Sequence, residues 1–170
     1  MIDKQFPIGK FTYSGTLNEH DRLHAIELIS TLGSRLIELL SGYSDRLMDT
    51  PYRPGGWTAR QVVHHLFDSH ANAYMRIKFA LTEDNPTIKA YNQDDWAGLA
   101  DSKMPVHISA SAIGGLQARL GFLLASLEHE DFEKTIQHPE RGTITVDYLT
   151  ALYAWHGEHH LEHIRLSLHD

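Results

Sequence analysis

Apolar residues recur at helical spacing in four stretches of the chain, and residues that begin or end helices bound each stretch. In the first stretch the apolar positions are Leu23, Ile26, Ile29, Leu32, Leu36, Leu39 and Leu40. Thr16 and Glu19 have the spacing of a capping box in front of it, and Gly42 follows it. The pattern predicts a first amphipathic helix over about residues 18–41.

A long polar segment separates the second and third stretches. Thr58 is a good N-cap for a second helix over about residues 58–82, which an Asn-Pro pair would end. Residues 83–108 are expected to form a loop with one helical turn, and loops of this length are often functional. Ser109 or Ser111 is expected to cap the third helix, whose apolar face holds Ile113, Leu116, Leu120, Leu123, Leu124 and Leu127.

The fourth stretch follows a turn within residues 136–145, where a small β-hairpin is expected. Thr145 or Asp147 then starts a helix that runs to about residue 168. Four amphipathic helices without the alternation typical of sheets predict an all-α four-helix bundle. The 170 residues suit a single domain, residues 1–170, with its own core.

Composition narrows the classes of function. The formal charge of −7 disfavours nucleic acid phosphates and anionic lipid as partners. The absence of cysteine excludes disulfides, thiolate ligands and cysteine nucleophiles, and it suits a reducing cytoplasm. No signal peptide is expected, and no run approaches the ~18 apolar residues of a membrane span. We therefore expect a cytoplasmic protein that acts on a small molecule.

The 13 histidines are concentrated in two groups. The first group is His64, His65 and His70, and the second is His156, His159, His160, His163 and His169. His156 and His160 lie four residues apart on the apolar face of the fourth helix, a spacing at which two imidazoles can bind one metal ion. His159 and His163 share that spacing toward a flank, so geometry favours the first pair only modestly.

A third ligand would have to come from another helix, because an open zinc site usually takes three protein ligands. On the second helix His65 lies at the edge of the apolar face, His70 nearer its middle and His64 further away. The spacing alone does not separate His65 from His70, which is also interpretable as a satisfied core residue or a residue on an entry path.

Two protease-like strings are rejected as catalytic motifs. Residues 159–163 match H-x-x-E-H, but only seven residues follow, so no further ligand helix is expected. The string from His156 to His160 is not H-E-x-x-H, because Glu158 comes two residues after the first histidine and would project away from a metal.

Two segments of the chain have a specific pattern of residues. The more specific one begins TPYRPGGWTARQVVHH at Thr50 and extends to Asn72, and the other is Y-x-W-H-x-x-H-H-x-x-H, from Tyr153 to His163. In both segments the chain resembles the DinB superfamily, and within it the YfiT-type proteins, and the similarity covers nearly the whole chain. The resemblance implies a four-helix bundle with a central metal, zinc first and nickel as the alternative, in a cytoplasmic protein that often forms homodimers.

The resemblance also implies which histidines are the ligands. The second histidine of the His-His pair is His65, the histidine after tryptophan is His156, and the one four residues later is His160. YfiT-type members are described as metal-dependent hydrolases, while other branches are transferases or isomerases that depend on a low-molecular-weight thiol. Three neutral imidazoles would leave an ion able to activate water or a thiol, and a non-catalytic metal-binding stress protein is the third hypothesis.

Further residues are candidates around this site. Asp68 is a catalytic candidate, because it could orient a ligand histidine or move a proton, although a solvated helix face is its ordinary interpretation. Asn72 and Arg76 are substrate-binding candidates for a polar or anionic substrate, with a surface ion pair as the alternative for Arg76. Three loop aromatics could wall a pocket or simply pack, namely Trp57, Tyr91 and Trp96.

Overall fold

The part of the chain that the structure describes, residues 3–169, folds as predicted into a bundle of four long helices with a small β-hairpin. In this computed structural model, the helices are α1 (Glu19–Leu40), α2 (Ala59–Thr82), α3 (Gln93–Ala97), α4 (Val106–Ala125), α5 (His129–Phe132) and α6 (Val146–His169). The antiparallel hairpin pairs β1 (Thr135–His138) with β2 (Gly142–Thr145) directly before α6. Of His169 only the backbone is described.

Side-chain caps explain where the first two long helices begin. Thr58 Oγ1 accepts a hydrogen bond from the Gln61 backbone N–H at 3.2 Å, and the Gln61 side chain accepts one from Thr58 N–H at 3.1 Å. This is the capping box that fixes the start of α2. At α1 the cap is Asn18, which accepts from Asp21 N–H at 2.9 Å, so the capping box predicted at Thr16 is wrong.

The third long helix, α4, begins earlier than its serines suggest. Its N-cap is Pro105 and its first residue is Val106, so the caps predicted at Ser109 and Ser111 are wrong. Proline suits a helix start because its missing N–H costs nothing there. Ser109 instead lies buried inside the first turns, where its Oγ is 2.8 Å from His64 Nδ1.

The bundle pairs α1 and α2 each with α4 and α6. The closest crossing is between α1 and α4, because a Cβ added at Gly33 would lie 2.5 Å from the Gly114 Cα atom. Glycine is therefore required at this crossing, where any side chain would force the two helices apart.

A polar layer divides the hydrophobic core into two clusters. One cluster contains Ile29, Ala73, Ile77, Leu120, Leu149 and Tyr153, and the other contains Leu32, Leu66, Ile113, Leu161 and Ile164. Between them, each from a different helix, lie His70 of α2, Gln117 of α4 and His156 of α6. Buried polar groups at one level of a bundle must satisfy one another, so this layer marks the middle of the bundle as chemically special.

Charged networks fix the segments that pack against the first turns of α2 and α6. Arg60 of α2 is buried and donates to Asp45 Oδ1 at 3.0 Å and Asp49 Oδ1 at 2.8 Å, which ties down the segment before α2. Asp147 accepts from Tyr13 Oη at 2.8 Å and Arg22 Nε at 2.9 Å, which anchors the chain before α1. Both loop regions are thereby held against the bundle.

Within residues 3–169, one helix, α4, is long and apolar enough by composition to cross a membrane. Its inner face packs inside the bundle, however, with buried residues that include Ile113, Leu120 and Leu124. The apolar residues on this inner face therefore serve the core of the bundle.

Candidate metal centre

Three histidine side chains from two helices converge at the polar layer. His65 comes from α2, and His156 and His160 come from successive turns of α6. Their candidate ligand nitrogens lie within 4.8 Å of one another, and the Nε2 atoms of His65 and His156 are 3.2 Å apart. The structure thus brings together the three residues predicted as ligands. We call His65, His156 and His160 the interhelical triad.

The spacing of these nitrogens fits a shared ion. Two nitrogens bound at ~2.0–2.1 Å to one tetrahedral ion lie roughly 3.3 Å apart, which matches the 3.2 Å between His65 Nε2 and His156 Nε2. A hydrogen bond between the two atoms would require one of them to carry a proton, whereas an ion satisfies both lone pairs at once. Three neutral nitrogen donors are also the ligand set of open zinc sites.

A second histidine orients His156. His156 Nδ1 is 3.2 Å from His70 Nε2, and His70 Nδ1 contacts the side-chain amide of Gln117. In the structure Gln117 Nε2 faces His70 Nδ1, and Gln117 Oε1 has no partner among the described residues. For His156 to present a bare Nε2, its proton must be on Nδ1 and be donated to His70 Nε2, and His70 Nδ1–H then requires the Gln117 amide to turn so that its oxygen accepts. This relay leaves His156 Nε2 free for an ion, which is the usual role of an outer partner of a ligand histidine.

His160 has a similar partner. Its Nδ1 atom lies 3.2 Å from His163 Nδ1, one turn further along α6. His159, His160 and His163 also form a second set whose nitrogens lie within 4.8 Å, all of them buried. We call this set the α6 triad. His163 stacks on Tyr52 with ring centroids 3.9 Å apart, and His159 stacks on Trp155 at 4.5 Å.

Burial keeps these imidazoles neutral. It lowers the pKa of His65 to about 4 and that of His70 to about 3, with neighbouring histidines as the smaller cause. It moves the pKa values of His156 and His160 well below their ordinary value. Metal binding requires neutral imidazole, so the fold prepares these ligands well below pH 7.

Two cavities meet beside the triad. They measure about 660 and 550 Å³, and both are lined by Gln93, Arg141, Trp155 and His156. The smaller one also reaches His160 and is walled by Trp57, whose ring centroid is 4.8 Å from that of His65. Tyr91 lines the larger cavity and packs against Trp96 at 4.3 Å. Trp57 and Tyr91 therefore wall the cavities, whereas Trp96 is not among the residues that line either of them and packs against Tyr91.

The structure gives each of the other predicted site residues, Asp68, Asn72 and Arg76, a different environment. The Asp68 carboxyl, whose pKa is raised by burial, makes no hydrogen bond with any residue of the interhelical triad, so its catalytic role stays a prediction. The Asn72 side chain donates to the Asp68 carbonyl at 2.9 Å and lines a separate cavity of about 230 Å³. Arg76 lines that cavity and also the larger one beside His156.

Two neighbours of the ligands have structural roles. Glu158 forms an ion pair with Arg35 Nη2 of α1 at 2.6 Å, so it points away from the triad as expected. His64 turns to the opposite side of α2, where its Nε2 is 2.9 Å from the Met104 carbonyl.

The sequence alone does not identify these orienting residues. Spacing on α2 does not decide whether His70 is a ligand or a core residue, and no motif marks Gln117. A signal was nevertheless available, because Gln117 is the single polar side chain between Ile113 and Leu120 on the buried face of α4. A buried amide in that position requires a partner.

Comparison with known proteins agrees with these features. The model of the DinB superfamily matches residues 28–164. Two relatives from Bacillus mycoides (strain KBAB4) and Bacillus cereus (strain B4264) are each 49% identical over 164 residues, covering 96% of this chain and 95% of the relative. Both carry the provisional name metal-dependent hydrolase.

A solved structure shows the same architecture. YfiT from Bacillus subtilis superposes with a TM-score of 0.93 at 36% identity, covering 98% of this chain and 97% of that chain. It is provisionally described as a metal-dependent hydrolase with an unusual four-helix bundle topology.

Proposed function

Because the chain belongs to the DinB superfamily, we propose that it is a metal-dependent hydrolase with one divalent ion, zinc first and nickel as the alternative. The observation that carries the proposal is the convergence of three neutral imidazoles, His65, His156 and His160, on one point beside two cavities. The provisional names of the relatives support the same reaction class.

The three imidazoles would hold the ion without neutralising it. A divalent ion held by three neutral ligands supplies Lewis acidity, which lowers the pKa of a water ligand toward ~7. With their protons on Nδ1, His156 and His160 would donate to His70 and His163, which would leave the Nε2 atoms of both ligands unprotonated for the ion. Trp57 covers His65 and limits the access of bulk water from that side.

A protonated phenol completes the wall of the larger cavity. Burial is the main cause that raises the pKa of Tyr153, so its hydroxyl keeps its proton at neutral pH. The Tyr153 ring centroid is 5.8 Å from that of His156. The hydroxyl can therefore donate a hydrogen bond to a substrate oxygen that enters this cavity.

A turnover assay tests the proposal. Untagged protein would be stripped of metal, reloaded with one equivalent of zinc or nickel, and assayed against a panel of aryl esters and amides. Hydrolysis is expected only in loaded samples, in proportion to bound metal. Turnover that needs an added thiol would replace the hydrolase with a thiol-dependent transferase, and tight metal binding without turnover in either assay would leave a non-catalytic metal protein.

We also propose that the protein is a cytoplasmic homodimer that binds neither nucleic acid nor membrane. Its acidic charge and lack of cysteine support the location and the exclusions. Exposed apolar side chains, such as Phe122 at 80% and Leu23 at 60% exposed, support self-association. Sedimentation equilibrium of untagged protein tests the dimer, and a single monomeric species would contradict it.

A further inference from the structure

Arg76 is a buried cation for which residues 3–169 supply no anionic partner. Its side chain belongs to a residue only 9% exposed, and its guanidinium donates to the Lys89 carbonyl at 3.2 Å and to Tyr153 Oη at 3.5 Å. Among residues 3–169, no carboxylate lies within 4 Å of it. A buried charge is costly unless it is paired.

The other well-buried arginines differ in this respect. Arg60, 8% exposed, is held by Asp45 and Asp49. Arg22 has a similarly buried side chain and is paired with Asp147. Arg76 therefore stands out as the buried guanidinium for which the described residues supply no anion, although an arginine fork is suited to bind one in a bidentate manner.

The surroundings of Arg76 lead toward the metal centre. The larger cavity, of about 660 Å³, is lined by Arg76 and also by His156. Arg141 adds a second guanidinium at its exposed side, while Glu140 is the one acidic residue among those that line it. His138 is buried in the same wall, and burial first, then Arg76 and Arg141, lower its pKa and keep it neutral. The cavity therefore has an excess of positive charge.

Tyr153 connects the two ends of the cavity. Its hydroxyl is the one that contacts Arg76, and its ring packs near His156. One tyrosine side chain thus separates the unpaired guanidinium from the interhelical triad. A small molecule in the cavity can reach both at once.

We propose that the substrate carries a carboxylate or phosphate group that binds the Arg76 guanidinium, while its labile bond lies beside His156. This substrate class deepens the proposed hydrolase function and rests on it. Arg141 attracts the anion to the mouth of the cavity, and Arg76 fixes its position with a charge-assisted hydrogen-bonded pair. A neutral substrate of the same length leaves Arg76 unpaired and binds more weakly.

A binding experiment tests the anion site without any turnover. The indole N–H resonance of Trp155, which lines the cavity, would be followed by NMR during titration with sodium glutarate, inorganic phosphate or neutral glutaramide at constant ionic strength. Saturable shifts are expected with glutarate or phosphate and not with glutaramide, and which anion acts identifies the group. Arg76→Gln should abolish the shifts, whereas the matched control Arg119→Gln, on the exposed side of α4, should keep them.

Paired substrates link the site to the reaction. Esters with the same leaving group and a terminal carboxylate, phosphate or amide would be compared in metal-loaded protein, with Arg76→Lys as a variant that keeps the charge and loses the fork. A preference in kcat/KM of at least about tenfold for an anionic ester is expected, equivalent to ~1.4 kcal/mol, and Arg76→Gln should remove it.

The outcomes separate the two proposals. Anion shifts that depend on Arg76, without hydrolysis of any ester, would keep the anion site and overturn the hydrolase. Equal hydrolysis of neutral and anionic esters, without anion shifts in folded wild-type protein, would keep the hydrolase and overturn the anion site. Thermal unfolding of each variant, measured beside the wild type, identifies any loss that comes only from misfolding.

Discussion

The two histidine triads share His160 but are built differently. The interhelical triad takes His65 from α2 and its other members from α6, whereas the α6 triad comes entirely from one helix. In the first, the outward nitrogen of His156 has a defined partner in His70, while in the second the buried Nδ1 atom of His159 has no hydrogen-bond partner among the described residues. Histidines that cluster along one helix are thus weaker evidence for a metal site than histidines that converge from two helices and whose outward nitrogens have hydrogen-bond partners.

Lowering the pH should protonate the buried histidines of both triads, and the resulting loss in the free energy of unfolding is the largest effect that we expect. Burial lowers the pKa values of His65, His159 and His163 to about 4, whereas the unfolded chain binds protons near pH 6.5. The free energy of unfolding is therefore at its full value above about pH 6.5 and falls as pH decreases toward 4. The shift of His65 alone, from 6.5 to about 4, corresponds to roughly 3 kcal/mol.

Urea unfolding of metal-free protein, followed by circular dichroism across this pH window, measures the effect. His65→Gln is the matched variant, and its stability should depend less steeply on pH because one buried titrating group has been removed. A wild-type stability that stays constant across the window would show that the imidazoles are solvated rather than buried, and the prediction would be wrong.

Removal of one ligand should separate the triads most clearly. His65→Ala should weaken binding of zinc by about 100-fold or more. The free energy of zinc binding at structural sites with four protein ligands is ~10–16 kcal/mol, which corresponds to roughly 3 kcal/mol for each ligand. His159→Ala is the matched control and should retain the ion, since His159 belongs only to the α6 triad. Competition with a chromophoric chelator measures both affinities, and equal losses in the two variants would refute the interhelical assignment.

The orienting histidines should have intermediate effects. His70→Leu and His163→Leu should each weaken metal binding about 10- to 100-fold, because each removes the partner of one ligand's Nδ1 atom. His70→Gln can still accept a hydrogen bond and should recover part of the affinity. The same chelator competition applies, and a cobalt-substituted sample would report altered ligand geometry in its visible spectrum. Unchanged affinity in both leucine variants would show that the relays do not position the ligands.

Much of the fold was predictable because the helical period and the turn residues agree along the chain. The four long helices, the hairpin and the N-cap at Thr58 are all as expected. The start of α4 was missed because Ser109, a common cap residue, is used instead as a buried partner of His64. Local cap preference was overridden there by a tertiary hydrogen bond.

Spacing alone favoured the candidate ligands on α6, but it did not do so for the candidate ligand on α2. Spacing favoured His156 with His160, since residues four apart share a face of α6. The choice of His65 on α2 depended on family resemblance, because the rotation of α2 about its axis is set by packing against α4 and α6. The relay through His70 and Gln117 joins three helices, and no periodicity within one helix encodes such a contact.

Substitution of Glu158 should give the smallest effect. Glu158 lies on α6, the helix that contributes histidines to both triads, and therefore tests whether position on this helix is enough to affect the metal centre. It lies between His156 and His160 in sequence, yet its carboxylate pairs with Arg35 at 2.6 Å, with both side chains about 30% exposed. Pairs of this exposure contribute roughly 0–1 kcal/mol, so Glu158→Gln should leave metal affinity and turnover unchanged and lower unfolding stability by no more than that. Chelator competition, ester hydrolysis and urea unfolding on one preparation measure all three. A large loss of turnover with intact metal binding would mean that Glu158 swings toward the cavity as a general base, and position in the helix would then be a poor guide to which residues serve the centre.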